Sequence, residues 1–221
     1  MGTRWNSFYG VYDFKVNGEN EFAWNRQKHY NRMIENVVAE IFTKYGVWFM
    51  VWFDGGAHGP EEGGPDVLSI FEQHQPNSLF YHYLQRADMR WGGSETGTVS
   101  YPSWGTFPYM ATGAGESAKK VISANNYQLL KTGDPNRIYY MPAMSNAPLR
   151  GNQGHDWFWS PNREEVLYPL NTLVSMYYNS VGHNTSLILG VTQNSRGLLP
   201  KADVARLKEF GDAITLRFPI Q

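Results

Sequence analysis

Cysteine is absent from the 221 residues, which excludes disulfide staples and thiolate nucleophiles and leaves the redox compartment open. Charge is sparse as well. Asp, Glu, Lys and Arg make up 18% of the chain and the net charge is −1, so no field exists to attract nucleic acid or an anionic membrane. No apolar run reaches the roughly 18–20 residues that a membrane span requires. The start, Met1-Gly-Thr-Arg-Trp5, lacks the apolar core of a secretory leader. Several catalytic signatures are missing too. No glycine-rich phosphate loop follows the first expected strand, and no Gly-x-Ser-x-Gly elbow surrounds Ser94, Ser145 or Ser195. His58 lies near Glu61 and Glu62, but without a helical His-Glu-x-x-His frame or a third spaced ligand. We therefore expect neither metal nor cofactor.

Aromatic residues are plentiful, at 15% with 8 Trp and 14 Tyr. Rings of this kind stack on the C–H faces of sugars, and they equally fill cores. The most apolar stretch, Val47 to Phe53, reads as a strand buried on both faces, as in a parallel sheet. It ends on Asp54, before two glycines. A carboxylate at the C-terminal tip of a parallel strand stands where α/β barrels keep their chemistry. Asp before Gly also caps turns, so position alone leaves both roles open.

Around this stretch, Ser7–Phe14 reads as a strand, and helical spacing runs from Tyr30 through Met33, Ile34, Val37, Val38, Ile41 and Phe42 to Tyr45 before Gly46. Strand, helix, strand in that order predicts a right-handed parallel βαβ unit. A helix over 67–74, strands over 78–83 and 137–141, and a helix over 116–130 follow. Long loops are expected over 85–112 and 142–161. The end predicts a helix over 170–181, a strand over 186–192 and a last helix after Pro200. About five parallel strands result, an incomplete (β/α)8 barrel holding its last five βα units, in a single partial domain spanning 1–221.

A retaining glycosidase needs two carboxylates roughly 5–5.5 Å apart, a nucleophile and an acid/base. Asp54, fixed after a strand, suits the first role. Glu61, Glu62, Glu95 and Glu116 are candidates for the second, and Glu95 stands out because Arg90, Trp91 and two glycines precede it. A Glu among rings acquires the raised pKa of a general acid by desolvation. His82 reads as a core histidine, and the Trp157–Trp159 cluster as a sugar platform or as core packing.

Val51-Trp-Phe-Asp-Gly-Gly56, Arg90-Trp-Gly-Gly-Ser-Glu95, and Tyr177-Tyr-Asn-Ser-Val-Gly182 through Arg196-Gly-Leu198 resemble the glycoside hydrolase family 29 α-L-fucosidases. Asp203 to Gly211 is similar to the family's last barrel helix. The resemblance implies hydrolysis of terminal α-L-fucosides with retention, on fucosylated oligosaccharides or glycoconjugates, through a covalent glycosyl-aspartate. It implies Asp54 as nucleophile, Glu95 as acid/base, Trp52 and Tyr12 as pocket aromatics, Arg90 as a hydrogen-bond donor to fucose and Trp157 as a further substrate contact. The family's amino-terminal barrel strands, with a His-Trp-Gly motif and paired histidines, have no counterpart here, nor has its trailing β-sandwich. The strands visible here would be the fourth to eighth. Expected partners are thus a missing barrel half or a second copy, with weak or no turnover by this chain alone and a place outside the cytoplasm. The alternatives are action on α-L-galactosides, a non-catalytic sugar-binding remnant, or a truncated and unstable chain.

Overall fold

The structure, a computed structural model, describes residues 5–6, 11–12, 15–16, 21–57, 59–83, 86–108 and 127–219, with backbone alone for those up to 25 and for 55, 82, 83 and 127. The chain divides into two compact units, Met1–Met89 with Tyr109–Asn126, and Arg90–Pro108 with Tyr127–Gln221.

The first unit is built on α1 (Glu21–Lys44), whose buried stripe Tyr30, Ile34, Val38 and Phe42 recurs every four residues. The stripe packs on Val67 and Phe71 of α2 (Val67–His74) and on Phe53 and Phe80 from the sheet below. Phe71 lies edge-on to both Phe42 and Phe80, with centroids 5.6 and 5.0 Å apart. Ahead of α1, β1 (Trp5–Asn6), β2 (Val11–Tyr12) and β3 (Lys15–Val16) form a small antiparallel sheet. The segment expected to open a parallel crossover is therefore antiparallel. The real crossover comes later, where β4 (Met50–Ala57) pairs in parallel with β5 (Leu79–Tyr83) across α2.

The strand expected over 47–53 is shifted along the chain. Val47 and Phe49 are exposed, because side chains capture the backbone of Trp48 before it can join a ladder. Gln75 Oε1 accepts from Trp48 N–H at 3.1 Å, and Ser78 Oγ donates to Trp48 O at 2.5 Å. Gln75 Nε2 also donates to Phe42 O and Gly46 O, at 2.7 and 2.9 Å. One buried amide thus closes the end of α1 and delivers the chain to β4.

In the second unit β6 (Arg90–Trp91), β9 (Ala143–Pro148) and β10 (Thr185–Gly190) form a parallel sheet in the order β10-β9-β6. Every residue of β9 is buried. The stretch 142–161, expected as a loop, holds this central strand, while the strand expected over 137–141 is the short β8 (Tyr139–Tyr140), antiparallel to β7 (Thr106–Phe107). Ala147 and Leu149 pack with Leu187 and Leu189 against α4 (Leu170–Tyr178) and α5 (Lys201–Arg217). Of the expected helix over 116–130 only its end is described, as α3 (Tyr127–Thr132). Arg150, beyond β9, forms a bidentate pair with Asp203 of α5 at 2.9 and 2.6 Å, both side chains within 1% of full burial. Its Nη1 also donates to Arg163 O at 3.1 Å, so the chain after β9 is tied to the last helix.

Candidate active site

Alternation along β4 sends Val51 and Phe53 into the helix-facing core and Trp52 and Asp54 to the other face. Trp52 meets its register partner Tyr81 edge-on at 5.1 Å. Asp54 is exposed and lies within the strand rather than after it, where the ladder with β5 loses its regular register between Trp52 and Ala57. Burial pushes the Tyr81 phenol upward, and the Asp54 carboxylate adds to the shift. Tyr81 therefore shares the electrostatic neighbourhood of Asp54, a role the sequence did not suggest although the cross-strand register to Trp52 carries it.

Across the second sheet the same alternation holds. Trp91, Met144 and Asn146 occupy one face, and Trp91 Nε1 donates to Asn146 Oδ1 at 2.8 Å. After Trp91 the chain must pass close to β9. A Cβ on Gly92 would come within 2.6 Å of Val99 Cγ1 and 3.2 Å of Met144 O, so a larger residue would force Val99 to shift. The turn beyond is knit by hydroxyls: Thr96 N–H donates to Ser94 Oγ at 3.1 Å, and Thr96 and Thr98 share a hydrogen bond at 2.8 Å. Glu95 projects from it, about half exposed, and its Oε2 lies 2.6 Å from Nε2 of His155. The two residues stand on loops at the C-terminal ends of the adjacent parallel strands β6 and β9.

His155 in turn meets Trp157 edge-on, with centroids 5.7 Å apart. The Trp157 ring rests on the end of β10 where Gly190 has no side chain; a Cβ there would lie 2.4 Å from Cζ3. His155, Asp156, Trp157, Phe158, Ser160 and Arg163 line an open depression of about 450 Å³, in which Arg163 Nη2 donates to Asp156 Oδ2 at 3.2 Å. Phe158 is 86% exposed there. Aromatic faces beside a polar pair offer what a sugar ring needs, apolar area under its C–H face and partners for its hydroxyls.

Arg90, implied by the resemblance as a hydrogen-bond donor to fucose, is buried. Its side chain is 1% exposed and turns toward α3, away from the face that carries Trp91. Nε donates to Met141 O at 3.2 Å, Nη1 to Leu130 O at 2.5 Å, and Nη2 to Ser103 Oγ and Trp104 O. Four of its five N–H groups are thus bonded to the protein's own oxygens. Burial lowers its pKa to about 10, so it stays cationic at neutral pH.

Glu61 and Glu62 are exposed on a single 3-10 turn of the first unit. Tyr12 lies in β2, its side chain outside the described residues, as are Glu116, His58 and the side chain of His82. Among the described residues no cluster of three His, Asp or Glu is placed to hold a metal ion, and no helix is long and apolar enough to cross a membrane.

Parallel strands with crossover helices, carrying carboxylates at or just beyond the strand ends beside exposed aromatics, define an α/β fold of the kind found in glycoside hydrolase catalytic domains. A family model described as alpha-L-fucosidase matches residues 7–216, and the chain belongs to that family, glycoside hydrolase family 29. Alpha-L-fucosidase 1 of Arabidopsis thaliana is 29% identical over 197 residues, covering 87% of this chain and 36% of the plant protein. A crystal structure of a "putative alpha-L-fucosidase" from Bacteroides thetaiotaomicron superposes with a TM-score of 0.84 at 51% identity, over 99% of this chain and 50% of that one. A glycoside hydrolase 29 family member from an unknown rumen bacterium gives 0.62 at 27% identity, over 85% and 34%. The chain thus spans half or less of the length of these relatives.

Proposed function

We propose that the chain supplies the catalytic carboxylates of a retaining exo-α-L-fucosidase acting on fucosylated glycans, within the last five βα units of a (β/α)8 barrel. The observation that carries this reading is the placement of Asp54 and Trp52 on one face of β4, in a chain of this family, with Glu95 on the loop that follows β6. An Asp54 oxygen attacks the anomeric carbon as the bond to the aglycone oxygen breaks, and Glu95 gives its proton to that departing oxygen. The fucosyl-aspartate ester then yields to water: Glu95 takes a proton from the water, its oxygen bonds to the anomeric carbon, and Asp54 leaves as carboxylate.

Trp52 and the depression around Trp157 serve as apolar contacts for the fucosyl unit and the sugar it is attached to. Arg90 supports the site by holding the Ser103–Trp104 segment and the end of α3, and does so without touching substrate. The chain spans half or less of the length of its relatives, and the turnover expected of the 221 residues alone is weak. Hydrolysis of an aryl α-L-fucoside by the chain, with Asp54→Ala as control, tests the assignment. Slow release that Asp54→Ala abolishes supports it; release that Asp54→Ala leaves intact contradicts it.

A further inference from the structure

We propose that His155 is the positioning residue of Glu95, its Nε2–H holding Oε2 so that Oε1 is the carboxyl oxygen that exchanges protons with the substrate. The inference deepens the hydrolase reading and rests on it. The contact is 2.6 Å, short enough for a strong charge-assisted hydrogen bond, and it joins loops from neighbouring parallel strands across 60 residues of chain. Among the described residues no other hydrogen bond holds the Glu95 carboxylate. It is about half exposed, on a turn whose other ordered contacts run between Ser94, Thr96 and Thr98. The imidazole is as exposed as Glu95 but is backed on one side: it meets Trp157, the Trp157 ring lies on the backbone of β10 at Gly190, and Arg150 with Asp203 ties the chain after β9 to α5. Orientation therefore passes from α5 and β10 through His155 to the carboxyl.

The chemistry follows from the inventory of a carboxyl group. While Glu95 is protonated, the oxygen that accepts from Nε2–H is the carbonyl oxygen, and the proton sits on Oε1. When Oε1 gives that proton to the leaving oxygen, the carboxylate that forms keeps its hydrogen bond from His155. When Oε1 later takes a proton from water, the starting arrangement returns. His155 neither gains nor loses a proton over the cycle. The ring must therefore carry hydrogen on Nε2 throughout, which the ring nitrogen signals report directly.

Two measurements on the full chain test this. The first is ¹⁵N NMR of the His155 ring, assigned by its loss in His155→Gln. The expected result is an Nε2-protonated ring whose signals move in Glu95→Gln; a ring protonated on Nδ1 alone, or signals unmoved in Glu95→Gln, overturns the proposal. The second compares two aryl α-L-fucosides, one with an acidic phenol as leaving group and one with a poor one. Protonation matters most for the poor leaving group, so His155→Ala should lower kcat/KM by about tenfold or more on it and by less than about threefold on the activated substrate. Equal losses on both substrates would mean that His155 merely supports the fold, and would overturn the proposal. Lack of any Asp54-dependent release by the parent chain counts against the hydrolase reading instead, while the ring signals still decide the pairing.

Discussion

Arg90 commits its guanidinium to three main-chain carbonyls and a serine hydroxyl, so replacing it leaves buried acceptors without a donor. Each such loss costs about 1–3 kcal/mol. Arg90→Met is expected to lower the unfolding free energy read from a urea titration by at least that amount, whereas removal of a direct fucose contact would weaken binding and leave the stability alone. The sign of any pH effect is set by the lowered pKa. The unfolded chain holds this proton more tightly, so a stability gain with rising pH starts only near pH 10, and the deficit of the variant stays flat from about pH 6 to 8. Gly190→Ala forces the Trp157 ring to move, since the new Cβ would lie 2.4 Å from it. Overpacking of this kind costs about 1–3 kcal/mol. Intrinsic fluorescence should shift with it, and an unchanged spectrum and melting temperature would show that the ring does not rest there. At this scale the common face of Asp54 and Trp52 is a local property, because a two-residue spacing in a strand puts side chains on one face whatever the exact ends. His155 was not legible, because its partner lies 60 residues away and no local spacing encodes a meeting of two loops.

Secondary elements show the same division between local and tertiary causes. The helix over 67–74 was legible from its apolar positions, and the Asp66 side chain caps it by accepting from Ser69 N–H at 3.2 Å. The long helix of the first unit was legible from its stripe, although it starts well before Tyr30. The buried strand β9 was not. Ala-Met-Ser-Asn-Ala-Pro has no β-branched residue, and its burial comes from lying between β6 and β10 and beneath helices. The strand at 47–53 was misplaced because apolarity alone does not show that Gln75 and Ser78 claim the backbone of Trp48. Gln75→Ala should therefore destabilise the first unit by about 2–3 kcal/mol in a denaturant titration, since it frees two carbonyls and an amide at once; a loss below about 0.5 kcal/mol would refute the clasp. The Arg150–Asp203 pair makes a stronger claim. Asp203→Ala leaves a buried cation unpaired and should cost about 3–5 kcal/mol, whereas a double replacement by apolar residues of similar size should recover most of that loss. Denaturant titration of the single and double variants distinguishes this from an ordinary loss of packing.

For the whole molecule, the parallel, helix-covered architecture and the family were legible, because several ordered motifs lie along the chain. The division into two compact units was not, since no linker or change of composition marks it. Trp52 and Asp54 belong to the first unit, and Glu95, His155 and Trp157 to the second. The decisive experiment is one that registers a single turnover and so does not depend on a fast cycle. The chain is incubated with a 2-fluorofucosyl donor carrying a good leaving group, digested, and read by mass spectrometry. The account predicts one fluorofucosyl ester on the peptide that contains Asp54, absent in Asp54→Ala. Donor bound with no ester formed, or an ester on another carboxylate, would contradict it.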